Sequence, residues 1–114
     1  MLFRLQEMGD RATEMLDMAL DALSQRSAEL AEQLPAMDDK LDRLNRGILD
    51  DLRLYAGEEE SFEWAVNLIL VARYLERFGD HAVDIGEQVS FLETGVFREF
   101  TDASHPEPPS SLGE

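Results

Sequence analysis

Cysteine is absent from the 114 residues, so disulfides and thiolate metal sites are both excluded. Proline is scarce. Three of the four prolines lie beyond Thr101, which leaves Pro35 alone to interrupt the body of the chain. Strand-type alternation of apolar and polar residues is also missing, which argues against a sheet. The apolar run over residues 62–72 is too short to span a bilayer and is broken by Glu63 and Asn67, so no direct membrane insertion is expected. No basic stretch precedes an apolar segment at the start, and no signal peptide is expected. Positive charge is the last shortage: ten Lys and Arg residues face 25 Asp and Glu, a net charge of −15. Nucleic-acid binding requires cationic side chains to neutralise phosphates, so DNA and RNA are not expected partners. Anionic lipid is disfavoured for the same reason. Divalent cations and basic protein surfaces are what such a field attracts.

Hydrophobic residues make up 44% of the chain, enough for one domain with a real core. Leu5, Met8, Ala12, Met15, Ala19 and Ala22 recur at steps of three and four and predict a first helix. Ser27 is placed to cap the helix after it. Leu30, Leu34, Met37, Leu41, Leu44, Ile48, Leu52 and Tyr55 keep one register through Pro35, which predicts a second helix bent there rather than two separate ones. Gly57 marks the next break. A third helix over 61–93 is predicted with Trp64, Leu68, Val71, Ala72, Leu75, Phe78, Ala82, Ile85, Val89 and Leu92 as its core face. Val66, Ile69 and Leu70 make its first half apolar on the other side too, as an over-wide core stripe or as a contact for a second domain or subunit. The fold expected is all-α, an antiparallel three-helix bundle over residues 1–100. Val96–Phe100 packs back on the bundle, and residues 101–114 form a flexible tail rich in Pro and Ser.

The candidate chemistry lies in carboxylates spaced one helical turn apart. Glu76, Asp80 and Asp84 form such a row, closed by Glu87, and Asp38 and Asp42 form a pair on the second helix. If the second and third helices are antiparallel about a turn near residue 58, Asp42 lies opposite position 74 and Asp38 opposite position 78. Both sets then meet in one groove, where oxygen ligands on rigid rails suit a hard cation. A solvated ion-pair face, with Arg43, Arg73 and Arg77 neutralising the acids, is the competing reading. His81 rotates away from the row and reads as a packed histidine, His105 falls in the tail, and Trp64 and Tyr74 read as packing residues.

Catalysis has no support. The sequence holds no nucleophile elbow, no glycine-rich phosphate loop and no Glu-x-x-His of the ferritin type, so an enzyme is not expected.

The stretch Arg73-Tyr-Leu-Glu76-Arg77-Phe-Gly-Asp80-His81-Ala-Val-Asp84-Ile-Gly-Glu87 resembles the third-helix signature of the PhoU family. Asp38-Asp39-Lys-Leu-Asp42-Arg-Leu resembles the family's second-helix motif, at the right separation, and the match extends over about residues 3–102. The resemblance implies a three-helix domain like the second of two tandem repeats. It implies bound iron, zinc, manganese or magnesium at the motif positions Asp38, Asp42, Glu76 and Asp80, with Asp84 standing where relatives often carry Asn. Met37 stands where relatives often place another acid. Implied too is a negative regulator of phosphate uptake and of the phosphate regulon, in the cytoplasm, reaching the inner membrane only through partners. Those partners are the ATPase subunit of the phosphate ABC transporter, a sensor histidine kinase, and a second copy of the chain or another PhoU domain. An acidic metal-storage bundle without phosphate signalling is the alternative from another class.

Overall fold

The computed structural model describes residues 2–53, 59–97, 99 and 100, and all four of its elements are helical. They are α1 (Leu2–Gln25), the single turn α2 (Ala28–Ala31), α3 (Leu34–Leu52) and α4 (Glu59–Thr94). The three long helices pack on one another as a bundle, in which α1 and α4 run parallel and α3 antiparallel to both. With 36 residues α4 runs about 54 Å at 1.5 Å per residue, which is the full 54 Å length of the molecule.

α1 forms as its spacing predicts. Leu5, Met8, Ala12, Met15, Ala19 and Ala22 are all buried, and the two methionines fill the centre of the core. The helix ends in a Schellman turn: Ser27 N–H donates to the Ala22 carbonyl at 2.9 Å and Arg26 N–H to that of Leu23 at 3.2 Å. Arg26 occupies the left-handed position, at φ 54°. Ser27 then caps α2, its hydroxyl accepting the Leu30 N–H at 3.0 Å.

One continuous helix does not run through Pro35. The chain turns at Glu32 and Gln33, and α3 starts afresh with Pro35 in its first turn. The reason is the missing amide of proline, which costs nothing at a helix start and would break a bond in the middle. The apolar register survives because the turn adds no net rotation that the core cannot absorb: Ala31, Leu34, Leu41, Ile48 and Leu52 are buried.

The face of α4 that meets the core is the expected one in part: Leu68, Ala72, Ala82 and Val89 are buried, and Leu75 and Ile85 pack against the core. Ala65, Gly79 and Gly86 are buried as well, whereas Trp64, Val71, Phe78 and Leu92 are exposed. Small residues let α1 and α3 approach the α4 backbone closely. A Cβ at Gly79 would collide with Leu41 Cδ2 and stand 3.2 Å from Met15 Sδ; one at Gly86 would collide with Leu34 Cδ1. Tyr74 and His81 are exposed as well and do not pack.

α4 stops at Gly95, in the left-handed conformation at φ 77°, whose N–H bonds the Phe91 carbonyl at 2.8 Å. The segment beyond folds back, as expected. Phe97 meets Phe91 edge to face with centroids 6.2 Å apart, and Phe100 packs on a second small core of Ala22, Ala31 and Val89. Phe100 N–H donates to Glu87 Oε2 at 2.6 Å. Burial pushes the Glu87 carboxyl above its ordinary 4.5, the Phe100 N–H opposes this, and Asp84 and Glu99 add to the rise. The expected tail over residues 101–114, the break at Gly57 and Tyr55 lie outside the described residues.

Two outcomes test this packing. Gly79→Ala should destabilise the fold by about 1–3 kcal/mol, the usual cost of overpacking, measured by chemical denaturation. For Glu87 the raised value means that its contribution is fully present below pH 4.5 and is lost as pH rises through the raised value. Glu87→Gln keeps an acceptor for the Phe100 N–H, so it should unfold at a higher temperature than the parent chain at pH 7. That gap should close below pH 4.5.

Candidate metal-binding groove

Two of the acids of α3 lie on an edge that turns into the bundle. Asp38 and Asp42, one turn apart, keep only 4% and 3% of their surface, far less than carboxylates on a helix flank usually do. Asp38 Oδ1 lies 3.5 Å from where a Cβ of Gly79 would stand, so it meets α4 beside Asp80. One turn beyond Asp42, Asn45 Nδ2 donates to Glu76 Oε2 across the same interface at 3.5 Å. These two contacts fix the register. Asp42 lies between them, level with Glu76 and the next turn of α4, a little further along that helix than equal spacing from residue 58 suggests.

Glu76 and Asp80 are half-buried on the edge of α4 that faces α3. Asp38, Asp42, Glu76 and Asp80 therefore lie along the α3–α4 interface, spread over successive turns rather than gathered at one point. Asp84 is not among them. Each step of four residues rotates a side chain by about 40°, and by Asp84 the row has turned out to solvent. There its carboxylate is 67% exposed and sits 3.6 Å from His81 Nδ1. Glu87 continues the row only in sequence; it is committed to Phe100.

The arginines take other places. Arg43 lines the opposite edge of α3, facing α1, and Arg73 and Arg77 lie exposed on α4. Among the described residues no group of three or more histidine, aspartate or glutamate side chains is drawn together closely enough to hold an ion. The donor set is oxygen throughout, two carboxylates from each helix, which suits a hard divalent cation rather than a soft one.

Two further residues belong to this groove and are not among the sequence-based candidates. Asn45 has the look of an ordinary polar residue, although it stands one turn after Asp42 nearly as Asp42 stands one turn after Asp38. Gly79 reads as part of a motif and not as a gap. A glycine in mid-helix costs about 1 kcal/mol against alanine, which is itself a signal that something comes close.

Comparison with known proteins places this architecture. Residues 5–89 match the model of the PhoU domain. The "Phosphate-specific transport system accessory protein PhoU homolog 1" of Methanothermobacter thermautotrophicus is 36% identical over 91 residues, 79% of this chain and 42% of that protein. The homologue of the same name from Mycobacterium leprae is 34% identical over 99 residues, 82% of this chain and 41% of its own length. A PhoU homologue of Zymomonas mobilis is 34% identical over 92 residues, 80% and 39% respectively. The chain thus spans about two fifths of the length of the curated relatives it matches. No solved structure matches it significantly. With three quarters of its length under that model and relatives above 30% identity, the chain belongs to the PhoU domain family.

Proposed function

We propose that the chain is a regulator of phosphate-specific transport, which lowers phosphate uptake and expression of the phosphate regulon through protein contacts. The observation that carries this reading is membership of the PhoU domain family, with relatives named as accessory proteins of that transport system. The partners proposed are the ATPase subunit of the phosphate ABC transporter and a sensor histidine kinase, met in the cytoplasm. Among the described residues no helix is long and apolar enough to cross a membrane. Nothing in the groove resembles a substrate clamp or a nucleophile, and the proposed role is not catalytic.

Asp38, Asp42, Glu76 and Asp80 would hold a divalent or iron-type ion, with Asp84 at most an outer ligand. A cation bound there supplies positive charge that neutralises the carboxylates and ties α3 to α4. The same residues set the geometry of the surface on either side, since moving α3 against α4 moves the outer faces of both helices. The groove is thus read as a means of fixing a docking surface rather than of turning over a substrate.

A second copy of the chain, or another PhoU domain, is proposed to cover the outer face of the first half of α4. Val66, Ile69, Leu70 and Tyr74 are exposed there, with Trp64, Val71 and Phe78 on the adjoining flank. A contiguous apolar face of that kind is unusual on a lone soluble domain. The relatives are long enough to contain another unit of this size.

Three measurements test the reading. In a strain lacking the gene, phosphate-scavenging genes should be expressed constitutively and the wild-type chain should restore repression. Altered metal tolerance with normal phosphate control would instead support the storage role. Protein purified without chelators should carry stoichiometric metal. At a hundredfold over its dissociation constant that metal adds about 2.7 kcal/mol of stability. Asp38→Asn with Glu76→Gln should abolish both the metal and the gain in thermal midpoint, and a metal-free parent chain that ignores added iron, zinc, manganese and magnesium would end the metal proposal. Sedimentation should give a dimer that Leu70→Glu splits; a monomeric parent chain would remove the pairing.

A further inference from the structure

On the far side of α3 from the acidic groove, an open cleft of about 380 Å³ runs between α1 and α3. Its lining is Arg4, Glu7, Arg11, Lys40, Arg43 and Leu44. Four of the ten cationic side chains of a molecule with net charge −15 therefore converge on one small surface, with Glu7 the one carboxylate in its wall. We infer that this cleft is a binding site for an oligophosphate, a linear run of phosphoryl groups, and that it is separate from the proposed metal groove.

The arrangement is built rather than incidental. α1 and α3 are antiparallel here, with Arg4 level with Gly47 and Arg11 level with Lys40. The guanidinium of Arg4 reaches in against α3 at Gly47, which has no side chain; a Cβ there would collide with Nη1 and stand 3.0 Å from Cζ. Asp51 holds it in place, accepting from Arg4 Nε at 2.9 Å. Arg11 is steadied by Glu14 at 3.2 Å on the same helix. Among the described residues no ion pair engages Lys40 or Arg43, which leaves both free to take an anion.

Chemistry selects the ligand. Three of the four cations are arginines, whose planar forks match phosphoryl oxygens two at a time. Arg4 and Arg11 are seven residues apart, about 10 Å along α1. A single phosphate cannot touch both ends, whereas a linear run of phosphoryl groups reaches from one to the other and carries several charges in a short length. The volume lies in the range of sites for small organic molecules, which are about 300–1,000 Å³. An acidic peptide spreads single charges along a backbone and matches this compact set less well.

The test is calorimetric titration of the full chain, stripped of metal, in 150 mM salt with tripolyphosphate as the probe. One saturating site is expected, at least tenfold tighter than for inorganic phosphate. Arg11→Gln and Arg43→Gln should each weaken it tenfold or more, and Gly47→Ala, which displaces Arg4, several-fold. Arg73→Gln, a cation on the exposed side of α4, should change it less than twofold. Thermal midpoints of the Arg11 and Arg43 variants should match the parent, since both side chains are surface groups. The inference is overturned if tripolyphosphate shows no saturable binding, if inorganic phosphate or polyglutamate binds as tightly, or if Arg73→Gln weakens binding as much as Arg43→Gln. Because the protein is metal-free throughout, neither result depends on the groove between α3 and α4.

Discussion

The fold depends on how closely two helices can approach the backbone of a third. Along α4 the residues facing inward are largely alanines and glycines, so the side chains of α1 and α3 lie directly on its peptide groups. Leu41 and Met15 occupy the space that a side chain at Gly79 would fill, and Leu34 does the same at Gly86. A seam of this kind gives little hydrophobic area per residue on α4, and the area comes instead from the neighbours. It also brings polar groups on the flanks of the seam within reach of one another. Asp38 meets α4 beside Gly79 for the same reason that Leu41 does, because both lie on the edge of α3 that presses on the gap.

Close approach explains the burial of two carboxylates that composition alone would leave in water. Burying an ionised group costs several kcal/mol unless its surroundings compensate. Asp38 and Asp42 lie on the edge of α3 that packs against α4, and across that interface Asn45 meets Glu76, so the polar groups of this seam are held by the same close approach that builds the core.

Much of this was legible in the chain, and the exceptions have a common origin. The buried set of α1 appears in full, because Met8, Met15 and the residues between them recur at an unbroken helical period. The Ser27 cap is visible for the same local reason. The return of Phe100 onto the bundle could be expected from an apolar pair beyond Gly95. On α4 the expected face holds at Leu68, Ala72, Ala82 and Val89 and is too wide, since the strongly apolar Trp64, Val71 and Phe78 stand outside while Gly79 and Gly86 lie within. A search for small residues at spacings of three, four and seven finds the true seam directly. Pro35 misleads for a different reason: register continuity constrains side-chain rotation, not the backbone, and a turn that restores the phase leaves the pattern intact. Of the five candidate residues, Asp38, Asp42, Glu76 and Asp80 lie along the α3–α4 interface with no three of them close enough to hold an ion, and Asp84 turns to solvent through the drift of a straight helix against a strict four-residue repeat.

α3 therefore separates two surfaces of opposite character. Asp38, Asp42 and Asn45 lie along one edge, while Lys40, Arg43 and Gly47 lie along the other, roughly half a turn away. The core residues Leu34, Leu41, Ile48 and Leu52 run between them and are buried by both neighbours. One 19-residue helix thus sets Asp38 and Asp42 against α4 and Lys40 and Arg43 against α1, where Asp51 pairs with Arg4. In a chain of net charge −15, four of the ten cations drawn to one cleft are more than average composition would place there. On the two readings proposed above, each edge would meet a ligand of opposite charge, and because Lys40 and Arg43 share a helix with Asp38 and Asp42, a shift of α3 would be felt at both.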